Sequence, residues 1–130
     1  MRVTSYRQIA KVLRREEVAS ELFRIKRDMF PMGPDVYYLR PGDHGLMIFI
    51  RREPGVFEVH AAMLPEDQPV KPKIEAAFAW MVDNAGMTQA IGSIRESNRK
   101  ARYMAVRVGM VPTARQGNMM IYRGDYGLHR

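Results

Sequence analysis

The order of the predicted elements indicates an α/β protein in which a mixed β-sheet is flanked by helices. Two observations support this prediction. Apolar runs bounded by Pro and Gly form strands through the middle of the chain, and apolar residues at helical spacing form helices before and between strands. The length of 130 residues, with 46% hydrophobic and 27% charged residues, is typical of one globular domain. We therefore expect a single domain over residues 1–130.

Three segments show the spacing of helices. The first covers residues 6–27, as one bent helix or two short ones. The second follows a loop over residues 65–72 and ends at Gly86, a residue type that commonly terminates helices. The third covers residues 97–108 and ends at Gly109.

The predicted strands are distributed between and after these helices. Two of them form a hairpin with Arg52-Glu53-Pro54-Gly55 as its turn. The predicted strands are Val36–Leu39, Leu46–Ile50, Val56–Leu64 and short segments near residues 88–94 and 118–122. This order places helices against the faces of a mixed sheet.

The composition excludes several kinds of site. There is no cysteine, which removes disulfides, thiolate metal ligands and a cysteine nucleophile. His44, His60 and His129 lack metal-ligand spacing, so we expect no metal site. The longest apolar run, Leu46–Ile50, is too short to cross a bilayer, and the N-terminus lacks the apolar stretch of a signal peptide. We expect a cytoplasmic protein that does not bind membranes.

Two motifs resemble those of a known family. Asn98 opens the third predicted helix, Ala101 follows three residues later, and Gly109 closes the helix. Upstream, Ala62-Met63-Leu64-Pro65-Glu66 ends a strand and leads into a loop before a helix. In this order and separation the motifs resemble those of the GNAT (Gcn5-related N-acyltransferase) superfamily. The resemblance covers most of the chain from about Val36 onward.

The resemblance implies both a fold and a cofactor. The fold is a GNAT-like mixed, mostly antiparallel central sheet flanked by helices. The cofactor is acetyl-CoA or another acyl-CoA. Met63 and Leu64, at the end of the family's fourth strand, are then expected to contact it, and Asn98 is expected to help position it.

The loop that holds the CoA pyrophosphate in this family is altered here. The family pattern is Q/R-x-x-G-x-G/A, whose glycines let backbone N–H groups approach the phosphates. The aligned residues keep Gln68 but have Lys71 and Lys73 at the glycine positions, with Pro72, which has no N–H, between them. Either Gln68 and the lysines contact the pyrophosphate directly, or the side chains fill the groove and no CoA binds.

The resemblance also implies acid and base groups for acyl transfer. The family often has a Tyr seven residues after the helix-opening Asn, but this position is Ala105. Tyr103 points about 200° around the helix from it, so it is no evident substitute. Glu58 and His60 share one strand face and are the candidate general bases. The alternative is that both are ordinary polar residues of the sheet.

The net charge of +7 predicts attraction to acidic partners. Arg95, Arg99 and Arg102 are spaced to line one helical face near Lys100 and Arg107, as a groove for nucleic acid or the CoA 3′-phosphate. The alternative is a solvated face, since no aromatic residues interleave to stack bases. Nucleic acid is therefore a weakly supported partner.

The sequence is compatible with two functions. The first is acyl-CoA-dependent N-acyl transfer to the amine of a small molecule or a protein. The second is a catalytically inactive GNAT-fold protein that binds a protein partner or its own copies. The run His60–Pro65, followed by a helix with Trp80, resembles GNAT-like proteins of phages. In that case we expect a virion or host-takeover component, in the host cytoplasm or the virion.

Overall fold

The structure, a computed structural model, describes residues 1–13 and 31–127. Within these residues three α-helices flank a sheet of seven strands, and a 3₁₀ turn at Pro65–Asp67 precedes the second helix. The elements are β1 Arg2–Val3, α1 Tyr6–Leu13, β2 Val36–Leu39, β3 Leu46–Glu53, β4 Val56–Ala62, α2 Val70–Ala85, β5 Gln89–Arg95, α3 Arg99–Arg107, β6 Val111–Gln116 and β7 Met119–Asp125. The predicted α/β class is confirmed.

The sheet is mixed and mostly antiparallel. Its strand order is β1-β2-β3-β4-β5-β7-β6, and β4 and β5 form its parallel pair. Parallel neighbours require a crossover connection, which α2 provides here. The crossover places β4 and β5 side by side in the middle of the sheet.

The two faces of the sheet carry different helices because successive side chains of a strand point to opposite faces. On one face, α2 and α3 cover a core that includes Phe57 of β4 and Phe78 of α2. On the other face, α1 covers a second core that includes Ile9 and Ile48. Glu58 alternates with Phe57 along β4 and therefore belongs to the α1 face.

The ends of α2 and α3 follow the sequence signals closely. Gly86 ends α2 with φ of 68°, in the left-handed region that favours glycine. Asn98 caps α3, because its Oδ1 accepts the N–H of Ala101 at 3.2 Å. Helix α2 begins at Val70, inside the predicted loop. Pro72 is tolerated there because the first turn of a helix leaves its N–H groups without helical partners.

Several strand predictions were incomplete. Strand β3 continues to Glu53, so the hairpin turn is confined to Pro54 and Gly55. Strand β6 was missed because all six of its residues are exposed and it contains Pro112, so it shows no apolar alternation. The predicted helix over residues 14–27 lies outside the described residues.

A candidate active-site cleft between two diverging strands

Strands β4 and β5 are paired over only part of their length. Val56–Glu58 pairs with Gln89–Ile91, while β4 continues to Ala62 and β5 to Arg95 without further pairing between them. The strands therefore diverge beyond Glu58 and Ile91. Beyond this point, the backbone N–H and C=O groups that β4 and β5 turn towards each other do not form hydrogen bonds between the two strands.

A cavity of about 440 Å³ occupies the opening. Strands β4 and β5, helices α2 and α3 and the loop before α2 form its walls. Its apolar lining includes Val59, Met63, Leu64, Val70, Ile74, Phe78, Met104, Ala105, Val108 and Met110. Its polar lining residues are His60, Gln68, Ser93, Arg95, Asn98 and Lys100. An apolar cavity with a few polar groups is typical of a ligand-binding site.

His60 lines this cavity and, on the α1 face of β4, belongs to a polar group with Glu58 and Arg52. Its Nε2 lies 3.1 Å from Oε2 of Glu58, and Arg52 Nη2 donates to the same oxygen at 2.7 Å. The side chains of His60 and Glu58 are only 16% and 20% exposed. The sequence prediction that the two residues share a strand face is confirmed. Arg52 was missed because the predicted turn began at this residue.

The pKa of Glu58 is lowered to about 2. The main cause is the hydrogen bond with His60, which lowers this pKa. Burial raises the pKa, while the charge of His60 and the contact with Arg52 lower it further. Glu58 is therefore a carboxylate near neutral pH, and a carboxylate only accepts hydrogen bonds. It follows that Nε2 of His60 carries the hydrogen and that Nδ1 is the nitrogen able to take up a proton.

The lysines of the altered loop both have partners within the chain. Lys71 Nζ donates to Glu75 Oε1 at 3.1 Å, an ion pair one helical turn apart. Lys73 Nζ donates to the backbone oxygen of Asp67 at 2.5 Å and lies 3.9 Å from its Oδ1. Gln68 lines the cavity, whereas the two lysines are not among its lining residues.

Asp67 anchors this loop from inside the protein. It is fully buried, and its Oδ2 accepts the N–H of Leu64 at 2.9 Å. A side chain at Gly45 would collide with it, since an added Cβ would lie 2.6 Å from Oδ2. Asp67, Lys73 and Gly45 therefore hold the loop before α2 in a compact form.

The other predicted cofactor contacts lie at the cavity. Met63, Leu64 and Asn98 all line it. Ala105 is buried in its wall, whereas Tyr103 is 62% exposed on the outer side of α3. The position of the family's acid is thus apolar, and Tyr103 does not replace it.

The predicted basic face of Arg95, Arg99 and Arg102 was wrong. Arg95 lies in β5, because α3 starts only at Arg99. Arg102 turns towards the sheet, where it donates to the hydroxyl of Tyr122 at 3.2 Å. Lys100, which the sequence placed near this face, does line the cavity.

In residues 1–13 and 31–127 no three His, Cys, Asp or Glu side chains are grouped closely enough to hold a metal ion. None of the helices in these ranges combines the length and apolarity needed to span a bilayer.

Several solved structures with the same fold are N-acetyltransferases. A Vibrio cholerae spermidine N-acetyltransferase in complex with CoA and spermine is 13% identical, with TM-score 0.64, covering 90% of this chain and 86% of that one. A Campylobacter jejuni N-acetyltransferase in complex with acetyl-CoA is 12% identical, with TM-score 0.63, covering 95% and 83%.

Other matches are partial. A chimera of the Vibrio cholerae enzyme is 16% identical with TM-score 0.54, and this chain spans 58% of its length. No protein-family profile and no curated protein matches the chain. Identities this low establish the fold alone. The chain has the fold of the GNAT N-acetyltransferases.

Proposed function

We propose that the chain transfers an acyl group from an acyl-CoA to an amine. One observation carries this proposal: the divergence of β4 and β5 opens an apolar cavity that reaches His60. Among the described residues, His60 is the one histidine that contacts a largely buried carboxylate, that of Glu58. The acyl-CoA supplies an activated thioester. A largely apolar cavity with His60 at its wall suits direct attack on this thioester.

His60 serves as the general base in this proposal. The amine nitrogen attacks the thioester carbonyl carbon, the new C–N bond forms, the C–S bond breaks, and the proton lost by the amine passes to Nδ1 of His60. Glu58 is a positioning residue, because a carboxyl group with a pKa near 2 is a weak base but a strong hydrogen-bond acceptor. Arg52 donates to the same oxygen of that carboxylate.

The leaving group does not require a protein acid. A thiol of ordinary acidity has a pKa of about 8.5, so it departs as a thiolate close to neutral pH and takes its proton from water. The apolar Ala105, at the family's tyrosine position, is compatible with that route.

Several residues are proposed to hold the cofactor. Met63 and Leu64 provide apolar contacts at the end of β4, and Asn98 lies at the start of α3. Gln68 lines the cavity where α2 begins. Lys71 and Lys73 can contact the pyrophosphate only by exchanging their present partners for it.

A second candidate is a GNAT-fold protein that binds a partner without catalysis. It is favoured by the first turn of α2, where Pro72 removes an N–H and both lysines are bonded within the chain. Such a protein, of phage or other source, would keep the cavity without turning over an acyl-CoA.

A thiol-release assay distinguishes the two candidates. Because the chain contains no cysteine, a thiol reagent reports only the CoA released from acetyl-CoA. We expect release that depends on an added amine, from a panel that includes polyamines, amino acids and peptides. His60→Gln should lower this release by about a hundredfold or more, while Lys11→Ala, on the exposed side of α1, should not change it. Absence of amine-dependent release across the panel, despite saturable binding of acetyl-CoA, would favour the non-catalytic candidate.

A further inference from the structure

The sheet face that carries Glu58 and His60 continues across β5 and β7. The core under α1 takes its buried strand residues from β2, β3 and β4, and no described member of it lies in β5, β6 or β7. Because side chains alternate along a strand, β5 and β7 present a second set of residues on this face. All of them are at least partly exposed: Gln89, Ile91, Ser93, Arg95, Ile121, Arg123 and Asp125.

Arg123 lies in one row with Glu58 across this face. Glu58 pairs with Ile91 of β5, and Ile91 pairs with Arg123 of β7. Because neighbouring strands lie about 4.8 Å apart, the backbone positions of Glu58 and Arg123 are separated by about 10 Å. The imidazole of His60 extends back to Glu58, with which it is in contact. An imidazole and a guanidinium therefore lie at the two ends of a short surface, with the apolar side chain of Ile91 between them.

The charge of Arg123 has no acidic partner in the described part of the chain. Its Nη1 donates to Oε1 of Gln89 at 2.9 Å, and Nε2 of Gln89 donates to Oδ1 of Asp125 at 3.2 Å. Gln89 is a neutral amide, so this contact orients the guanidinium without neutralising it. Gln89 and Asp125 lie on the side of Arg123 away from the cavity, since Ser93, further along β5, lines the cavity. The other N–H groups of Arg123 can therefore bind an anion on the side of His60.

The carboxylates of this face already have partners. Glu58 contacts His60 and accepts a hydrogen bond from Arg52, and Asp125 accepts one from Gln89. Strands β4, β5 and β7 contain no other acidic residue. A second ammonium group on an acceptor would therefore have to displace one of these partners, whereas an anionic group can bind Arg123 directly.

We propose that the acyl acceptor is an amine that also carries a carboxylate, with the amine at His60 and the carboxylate at Arg123. This inference rests on the proposed function and names its substrate class. His60 lies on this face and also lines the cavity, so an amine bound over Ile91 reaches the thioester without passing α2 or α3. A guanidinium can bind a carboxylate through two parallel hydrogen bonds, which holds the acceptor in one orientation.

Three amines with carbon chains of equal length test this assignment. The far end is anionic in aminohexanoate, uncharged in hexylamine and cationic in hexanediamine. For each amine, kcat/KM is measured from the CoA released from acetyl-CoA. We expect wild type to prefer aminohexanoate to hexylamine about tenfold, a gain typical of a hydrogen bond to a charged group, and to use hexanediamine least.

Variants of Arg123 test whether this residue sets the preference. Arg123→Ala should lower the ratio of kcat/KM for aminohexanoate to that for hexylamine about tenfold. Arg123→Glu should reverse the order and favour hexanediamine. Arg115→Ala is the matched control, because it removes the same charge from the opposite face of the neighbouring strand β6. This variant should keep the wild-type ratio.

The possible results separate this inference from the proposed function. If wild type uses the three amines equally, prefers hexanediamine, or releases CoA only with other amines, the inference fails and acyl transfer stands. An equal loss of preference in Arg123→Ala and Arg115→Ala also overturns the inference alone, because net charge then sets the preference. If no amine causes release of CoA, both proposals fail.

Discussion

Nε2 of His60 and Oε2 of Glu58 lie 3.1 Å apart on the same face of β4. Arg52 donates a hydrogen bond to that same oxygen, so the carboxylate of Glu58 contacts both an imidazole and a guanidinium. The arrangement fixes which ring nitrogen of His60 bears the hydrogen. In the proposed mechanism Glu58 therefore positions His60 and is not itself the base.

Replacing His60 should remove most of the activity. We expect His60→Gln to lower kcat by about 10²–10⁴-fold, the usual contribution of a general base, with little change in KM for acetyl-CoA. Glu58→Gln should lower kcat less, because the imidazole remains but loses its orientation. Steady-state rates across a pH series check both expectations. Equal kcat values for wild type and His60→Gln would exclude His60 as the base.

The low pKa of Glu58 predicts an acid-dependent loss of stability. Its folded pKa of about 2 lies below the ordinary value of 4.5. The ionised group therefore stabilises the fold above pH 4.5, and this contribution disappears as the pH falls towards 2. The contribution is up to about 3 kcal/mol. Urea unfolding between pH 7 and pH 2 measures it.

A matched pair of variants isolates this effect. Glu58→Gln should be less stable than wild type at pH 7, and the difference should shrink as the pH falls from 4.5 to 2, because wild type then also loses the charge. Glu53→Gln removes an exposed carboxylate from the same hairpin. If both variants show the same pH dependence as wild type, the Glu58 carboxylate is not the cause.

Gly45 should be the glycine whose substitution disturbs the loop before α2. An added Cβ would lie 2.6 Å from both Asp67 Oδ2 and the backbone oxygen of Ala62. We expect Gly45→Ala to lower the free energy of unfolding by about 1–3 kcal/mol through overpacking. Gly92→Ala is the control, because its Cβ would meet only Met110 at 3.6 Å. Thermal unfolding of the two variants gives the comparison, and equal losses would contradict it.

Asn98 should have separable roles in stability and in binding. Asn98→Ala removes the cap of α3 and should cost about 1 kcal/mol of unfolding free energy. Asn98→Asp keeps a capping oxygen but adds a negative charge to a cavity-lining position. We expect this variant to be as stable as wild type and to bind acetyl-CoA more weakly. Calorimetry and denaturant unfolding of both variants check this, and unchanged binding in Asn98→Asp would restrict Asn98 to its capping role.

The sequence predicted those parts of the fold that carry local signals. Helix ends at Gly86 and Asn98 follow from backbone requirements that only a few residue types meet. The pairing of Glu58 with His60 follows from alternation along a strand. Strand β6 was not predicted, because an exposed edge strand lacks the alternation of apolar and polar residues that marks a half-buried strand.

The sequence by itself determined the fold class, the altered loop and the replacement of the family's tyrosine by Ala105. Only the tertiary structure decided which charged groups are available to a ligand. Lys71 and Lys73 acquire carboxylate or carbonyl partners on folding, while Lys100 lines the cavity without an ion pair to any residue in 1–13 or 31–127. The physical reason is that ion pairing and cavity access depend on where distant elements meet. The divergence of β4 from β5 likewise arises from packing across the sheet, which local sequence patterns do not encode.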